Sequence, residues 1–161
     1  MAANKHLPHI LVLPEDDANR QLAVGFALSL DSRVIRKIQV LLPAGGWAEV
    51  LAHFVSDRVF DMEKYPDRLM VLLIDFDGNK QRLDVATTKI PVHLRDRVFI
   101  LGALSEPEQL KKAGLGSYEE IGLAMGRECR AKTNTIWNHE LLSCNATELE
   151  RLSTLIRPIL F

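Results

Sequence analysis

The chain has 161 residues, 47% of them apolar and 25% charged, with a formal net charge of −1. That length supports one domain with a real core, and the balanced charge excludes a protein that holds nucleic acid by bulk positive charge. Cys129 and Cys144 stand far apart with no CxxC pair, which excludes a disulfide framework and a cysteine zinc site.

Residues 1–8 contain no apolar run of the signal-peptide kind. No stretch reaches the roughly 18 consecutive apolar residues of a membrane helix. The expected setting is therefore cytoplasmic, with no membrane partner. Residues 9–13 (HILVL) are a short, partly β-branched apolar run closed by Pro14, the pattern of a buried strand. Glu15, Asp16 and Asp17 follow. Residues 18–30 then carry apolar positions at helical spacing behind an acidic first turn, which suits the positive end of a helix dipole. Residues 38–42 read as a second strand, Pro43 to Gly46 as a turn, and residues 47–60 as a second helix. The run at 69–74 (LMVLLI) is the most apolar in the chain and reads as a central strand covered on both faces. It stops at Asp75-Phe76-Asp77-Gly78-Asn79, where Gly-Asn signals a tight turn. Residues 97–101 (RVFIL) form a fourth strand.

The last third reads as helical. Ser105 with Glu108, Ser117 with Glu120 and Asn145 with Glu148 have the spacing of capping boxes. The final helix is expected over residues 147–156, ending before Pro158. Ile159, Leu160 and Phe161 either complete the core or bind a partner. Strands alternating with helices predict an α/β fold: a central, mostly parallel sheet of about four strands flanked by helices, with a helical C-terminal third.

In such sheets, sites form at the carboxyl ends of the strands near a topological switch point. Glu15 follows the first strand; Asp75 and Asp77 follow the third. If those strands are neighbours, three carboxylates meet at one edge, with Asp75 and Asp77 pointing the same way if the segment is extended. Crowded carboxylates repel each other and resist ionisation unless a cation is present. Mg²⁺, a hard oxygen-seeking ion, answers that repulsion. The alternative is structural: Asp75 and Asp77 as turn residues, and Glu15, Asp16 and Asp17 as a helix cap.

These residues resemble the Toprim family, the catalytic domain of type IA and type II topoisomerases, bacterial primases, recombination-repair proteins and nucleases of the overcoming-lysogenisation-defect class. Toprim domains place a glutamate after the first strand, here Glu15 in HILVLPEDDANRQL, and Asp-x-Asp after the third, here Asp75 and Asp77 in VLLIDFDGN. VLLPAGGWAEVLAHF resembles the strand, double glycine and helix between those motifs. RVFILGALSEPEQL resembles the fourth strand and its acidic follower, where Glu106 or Glu108 matches a further glutamate. The resemblance spans about residues 9–112, leaving 113–161 as a C-terminal segment of the same domain. It departs from the family at Asp16, where glycine is usual.

The resemblance implies a Toprim/Rossmann-like sheet and Mg²⁺-dependent phosphodiester chemistry, with Mn²⁺ able to substitute. Glu15, Asp75 and Asp77 would be the catalytic residues and metal ligands, joined by Glu106 or Glu108. Hydrolytic cleavage of DNA or RNA is the simplest reaction left. Tyr65 and Tyr118 read as structural, which disfavours a tyrosine nucleophile, and the accessory segments of a primase are missing. Lys80 and Arg82 would contact phosphates, with Lys89, Arg95 and Arg97 nearby; a solvated charged loop is the alternative. His93 and His139 read as surface or hydrogen-bonded residues, and Trp47 and Trp137 as core or interface. No Walker A sequence is present. By resemblance, the expected partners are nucleic acid, a separately encoded ATPase subunit in a defence or repair complex, and a second copy of the chain.

Two other readings compete. ILVLPEDDANRQL also resembles the start of a response-regulator receiver, with Asp16 and Asp17 as metal acids and Asp75 as phosphoacceptor. Against it stand the long spacing to Asp75, the lack of a Met-Pro-like pair after it, and the lack of a matching lysine. The other is a catalytically degenerate Toprim that serves as an interaction module.

Overall fold

In a computed structural model, which describes residues 2–161, the four apolar runs become four parallel strands: β1 (His9–Pro14), β2 (Ile38–Val40), β3 (Arg68–Leu73) and β4 (Val98–Leu101). They form one sheet in the order β2-β1-β3-β4. Ile10 stands opposite Ile38 and Leu69, and Leu73 stands opposite Leu101. Seven helices connect and cover them: α1 (Asp17–Leu28), α2 (Trp47–His53), α3 (Val59–Lys64), α4 (Gln81–Lys89), α5 (Pro107–Lys112), α6 (Tyr118–Ala131) and α7 (Ala146–Leu160). The expected α/β class holds.

Side chains alternate across a strand, and here both faces are apolar, as a sheet covered twice requires. Leu11, Leu13, Met70, Leu72 and Ile100 enter one cluster with Val50, Phe54 and Met62. Ile10, Val12, Val71, Phe99 and Leu101 enter the other with Ala23, Leu152 and Ile156. A third cluster joins Leu22 of α1 to Ala103, Leu110, Ile121 and Leu142. Helix α6 packs on α1 through glycines. A Cβ on Gly25 would lie 2.0 Å from the Glu119 carbonyl, and one on Gly122 would lie 2.0 Å from that of Leu22.

Four local expectations are corrected. The helix read over 47–60 is broken by a π-helical turn at Phe54–Arg58. The charged stretch after Asp77 is helical (α4), its apolar side marked only by Leu83 and Ala86. The last helix runs through Pro158 to Leu160. A proline so close to the end disturbs only the last turn, and burial of Leu160 favours completing it. Of the three capping boxes only Ser117–Glu120 forms. Neither Glu106, the N-cap of α5, nor Asn145, that of α7, makes a side-chain capping bond.

Asn145 and Glu148 instead close the free edge of β4. The Asn145 amide accepts from the Gly102 N–H at 2.9 Å and donates to the Gly102 carbonyl at 2.8 Å. Glu148 accepts from the Ile100 N–H, and Arg151 donates to the carbonyls of Arg95 and Val98. Arg97 is likewise structural: it donates to the carbonyls of Met62, Tyr65 and Arg68.

At the amino end of the sheet, His9 is buried against Arg68. Arg68 Nε donates to His9 Nε2 at 2.9 Å, and His9 Nδ1 lies 2.6 Å from the Leu7 carbonyl, so the neutral Nδ1–H tautomer satisfies both contacts. Burial, reinforced by the Arg68 charge, lowers the His9 pKa from its ordinary value. An unfolded chain takes up a proton near pH 6.5 that the folded chain refuses until lower pH. This contribution to stability is therefore present above about pH 6.5 and is lost as pH falls below it. Urea denaturation of wild type and His9→Gln should show it. Wild-type stability should fall more steeply between about pH 6.5 and pH 5, and equal slopes would refute the assignment.

Candidate active site at the carboxyl edge of the sheet

The chain leaves β1 toward β2 on one side and returns through β3 on the other. The crevice beyond the ends of β1 and β3 is therefore the switch point of the sheet. Glu15 and Asp75 meet there. Glu15 N–H donates to the Leu73 carbonyl at 2.8 Å, and a Glu15 carboxylate oxygen accepts from the Asp75 N–H at 2.7 Å. Asp75 is 8% exposed. Its backbone is fixed by its neighbours: Ile74 N–H bonds the Leu101 carbonyl and Phe76 N–H bonds that of Ala103, so the β3–β4 pairing continues past the strand ends.

Two residues outside the expected set complete the arrangement. Asp16 caps α1, accepting from the Asn19 N–H at 2.9 Å. Asn19 is 1% exposed, and its side-chain amide donates to Asp16 and Asp75, each at 3.0 Å. Asn19 thus ties the cap of α1 to the end of β3. Asp16 stands where the Toprim-like pattern expected from the sequence would have glycine. Its φ of −141° needs no glycine, and its carboxylate does a cap's work. Asn19 lies in the first turn of an ordinary amphipathic helix, so spacing alone does not mark it.

The electrostatics follow from burial and crowding. Desolvation pushes the Asp75 pKa up to about 7, with the charges of Glu15, Asp16 and Glu108 adding to it and the Asn19 hydrogen bond opposing it. Glu15 is also raised, by burial first and by Asp16. Glu108, exposed in the first turn of α5, reaches this site by its field. Burial together with the fields of Glu108, Asp16 and Asp75 raises the Tyr118 pKa, which keeps its hydroxyl protonated. Lys111 Nζ sits 4.9 Å from the Tyr118 ring centroid.

Asp77 is not gathered in with Asp75 as extended spacing would have it. Its φ of +51° turns the chain, and its exposed carboxylate faces Arg82 at 3.5 Å. Arg82 stacks on Trp47 at 4.9 Å and donates to the Asp75 carbonyl at 2.7 Å, so its guanidinium holds the turn. Lys80 is exposed at the N-cap of α4. Glu106 is exposed at the N-cap of α5. Ser105 Oγ is buried without a hydrogen-bond partner, while the Ser105 carbonyl accepts from the Asp77 N–H. His93 pairs with Glu63, and His139 accepts from the Leu141 N–H, both structural roles. The Trp137 indole N–H donates to the Met125 carbonyl.

Among the described residues, no three His, Cys, Asp or Glu side chains form a ready-made metal-ligand group. Mg²⁺ does not need one, because it is commonly held by one or two carboxylates with waters and phosphate oxygens completing its shell. Glu15 and Asp75 are the two carboxyl residues that meet here and would hold such an ion, and Asp16 and Glu108 add their fields to it. No helix among the described residues is long and apolar enough to cross a membrane. No protein-family model, curated protein or solved structure matches this chain.

Proposed function

We propose that this chain is a metal-dependent, phosphodiester-cleaving protein of the Toprim kind, acting on nucleic acid in the cytoplasm. The observation that carries the reading is the meeting of Glu15 and buried Asp75 at the switch point of the sheet. Asp75 and Glu15 would hold Mg²⁺, or Mn²⁺ in its place. The ion would polarise the phosphodiester as a Lewis acid. Where Glu15 is not a ligand, its carboxyl would serve proton transfer at the attacking or leaving oxygen. Arg82 keeps the Asp75–Asp77 turn in place. Exposed Lys80 is the residue best suited to a phosphate contact in this turn. By the same resemblance, a separately encoded ATPase subunit in a defence or repair complex is the proposed partner.

Incubation with single- and double-stranded DNA and RNA in Mg²⁺, Mn²⁺ or EDTA tests this, with Asp75→Asn in parallel. Cleavage that requires metal and disappears in the folded variant is expected. Absence of both cleavage and Mg²⁺-dependent thermal stabilisation would refute the reading and leave the degenerate module.

One observation favours a second reading. Asn19 bridges Asp16 to Asp75, which places an acid from the β1–α1 loop beside a candidate phosphoacceptor. Labelling of Asp75 by a small phosphoryl donor such as acetyl phosphate would support the receiver-like reading over hydrolysis.

A further inference from the structure

At the amino edge of the sheet, opposite the acids, three segments meet around one aromatic ring. Lys5 lies in the turn before β1, Lys64 ends α3, and Tyr65 follows it on the way into β3, whose first residue is Arg68. Tyr65 is buried, yet three cations surround its ring. Arg68 Cζ lies 4.9 Å, Lys5 Nζ 5.3 Å and Lys64 Nζ 5.6 Å from the ring centroid. The His6 ring stands edge-on at 5.7 Å. The Lys5 ammonium, a hydrogen-bond donor to the phenol oxygen, holds the Tyr65 pKa below its ordinary value, and Lys64 acts in the same sense. Two ammonium groups therefore converge on one hydroxyl.

Packing alone does not explain this gathering. A cation in the last turn of a helix is ordinary, which accounts for Lys64, and a cation over a ring face gains a modest attraction. Neither reason accounts for three like charges on one ring, because they repel each other at this range. The nearby carboxylates do not neutralise them. Glu63 pairs with His93, Asp57 pairs with His53, and Asp61 faces Arg68 at 3.7 Å. The field of Asp67 falls on His9. Among the described residues, neither Lys5 nor Lys64 forms an ion pair with a carboxylate. Arg68 is 6% exposed, and its Nη1 has no hydrogen-bond partner. Arg58 adds a further positive field at Arg68. A buried guanidinium with an open donor, on the same ring as two exposed ammonium groups without counter-ions, is short of an anion.

We propose that Lys5 and Lys64 bind a phosphate group at Tyr65, with Arg68 and Arg58 supplying the positive field behind it. Lysine ammonium groups recognise charge rather than a planar shape, which suits a tetrahedral anion with several acceptor oxygens better than a carboxylate. Both lysines are exposed, so the anion reaches them without opening the core. The site is separate from the acidic edge: Arg68 and Asp75 are seven residues apart, about 23 Å of extended chain. It needs no metal, and it stands whether or not the acidic edge cleaves phosphodiesters. The phosphate is either a free anion or one link of a nucleic-acid strand, and the choice of probe tells them apart.

Two-dimensional NMR of the full chain in EDTA tests this, with inorganic phosphate and a short oligothymidylate as probes and sodium chloride at matched ionic strength as the control. The chain has two tyrosines, so Tyr118 serves as an internal reference. Phosphate is expected to shift the Tyr65 ring signals and to leave those of Tyr118 unmoved. Saturation at lower concentration by oligothymidylate identifies a nucleic-acid strand as the source; saturation by free phosphate alone identifies a small anion. Lys5→Gln combined with Lys64→Gln should weaken phosphate binding roughly tenfold. Both side chains are exposed, so the double variant should keep its fold, and Lys5→Arg should keep the binding. EDTA removes any metal chemistry, so a failed cleavage assay does not bear on the result. Absence of a Tyr65 shift with both probes, an equal shift in chloride, or undiminished binding in the folded double variant would overturn the proposal.

Discussion

Replacing Asp75 with Asn is expected to stabilise the protein at pH 8 and to leave it almost unchanged at pH 4. Folding buries this carboxyl among other acids and raises its pKa to about 7, from about 4 in an unfolded chain. The folded state thus binds a proton that the unfolded state has released throughout that interval. The contribution is favourable below about pH 4 and is lost as pH rises through about 7, the opposite sense to His9. Above pH 7 the ionised carboxylate opposes folding, with an upper limit of about 4 kcal/mol from the shift itself. Relaxation and solvent reduce this, and a gain of about 2 kcal/mol at pH 8 is expected for the variant. Asn preserves the acceptor for the Asn19 amide, so the hydrogen bond of 3.0 Å survives the exchange. Chemical denaturation at the two pH values measures the effect. A variant no more stable than wild type at pH 8 would show that the carboxylate is not under strain.

Mg²⁺ extends the same experiment. An ion that binds only the folded state stabilises it by about 2.7 kcal/mol at 100 times its Kd. Wild type should gain Tm in Mg²⁺ and Asp75→Asn should not. The variant would then be the more stable protein without metal and the less functional one with it. That trade is expected where a site is held in a destabilised state.

Gly102→Ala is the second large effect, and it acts through space rather than dihedral preference. A Cβ at Gly102 would fall 1.7 Å from the Ile74 carbonyl oxygen and 2.8 Å from its carbon, both backbone atoms. The β4 extension cannot move aside, because Asn145 holds the N–H and carbonyl of Gly102 from the other side. The β3 extension would have to shift, and Asp75 is the next residue along it. A loss of about 3 kcal/mol is expected, together with loss of Mg²⁺-dependent stabilisation. Gly78→Ala is the contrasting control. Gly78 has φ +67° with nothing within 4 Å of its added Cβ, so the cost should be about 1 kcal/mol, from backbone conformation alone. Equal losses in the two variants would refute the close-approach argument.

The sequence by itself determined the α/β class, the four strands to within one or two residues and the Ser117–Glu120 cap; that Glu15 meets Asp75 followed only from the pairing of β1 with β3. These depend on local pattern: apolar runs too short for helices, turn residues that end them, and a capping pair three residues apart. The tertiary structure decided the rest. Ser105 and Asn145 have equally good capping spacing, yet the Ser105 carbonyl pairs with Asp77 and the Asn145 amide with Gly102. Helix α4 carries too little apolar surface to announce itself, and α7 continues past Pro158 because Leu160 is buried. Asp77 left the acid cluster once the chain turned through a positive φ, while Asp16 and Asn19 entered it by the placement of α1 against β3. A residue's type and spacing fix what its side chain can bond. Which of those bonds forms is decided by the backbone groups that packing brings within reach, and these lie tens of residues away in sequence.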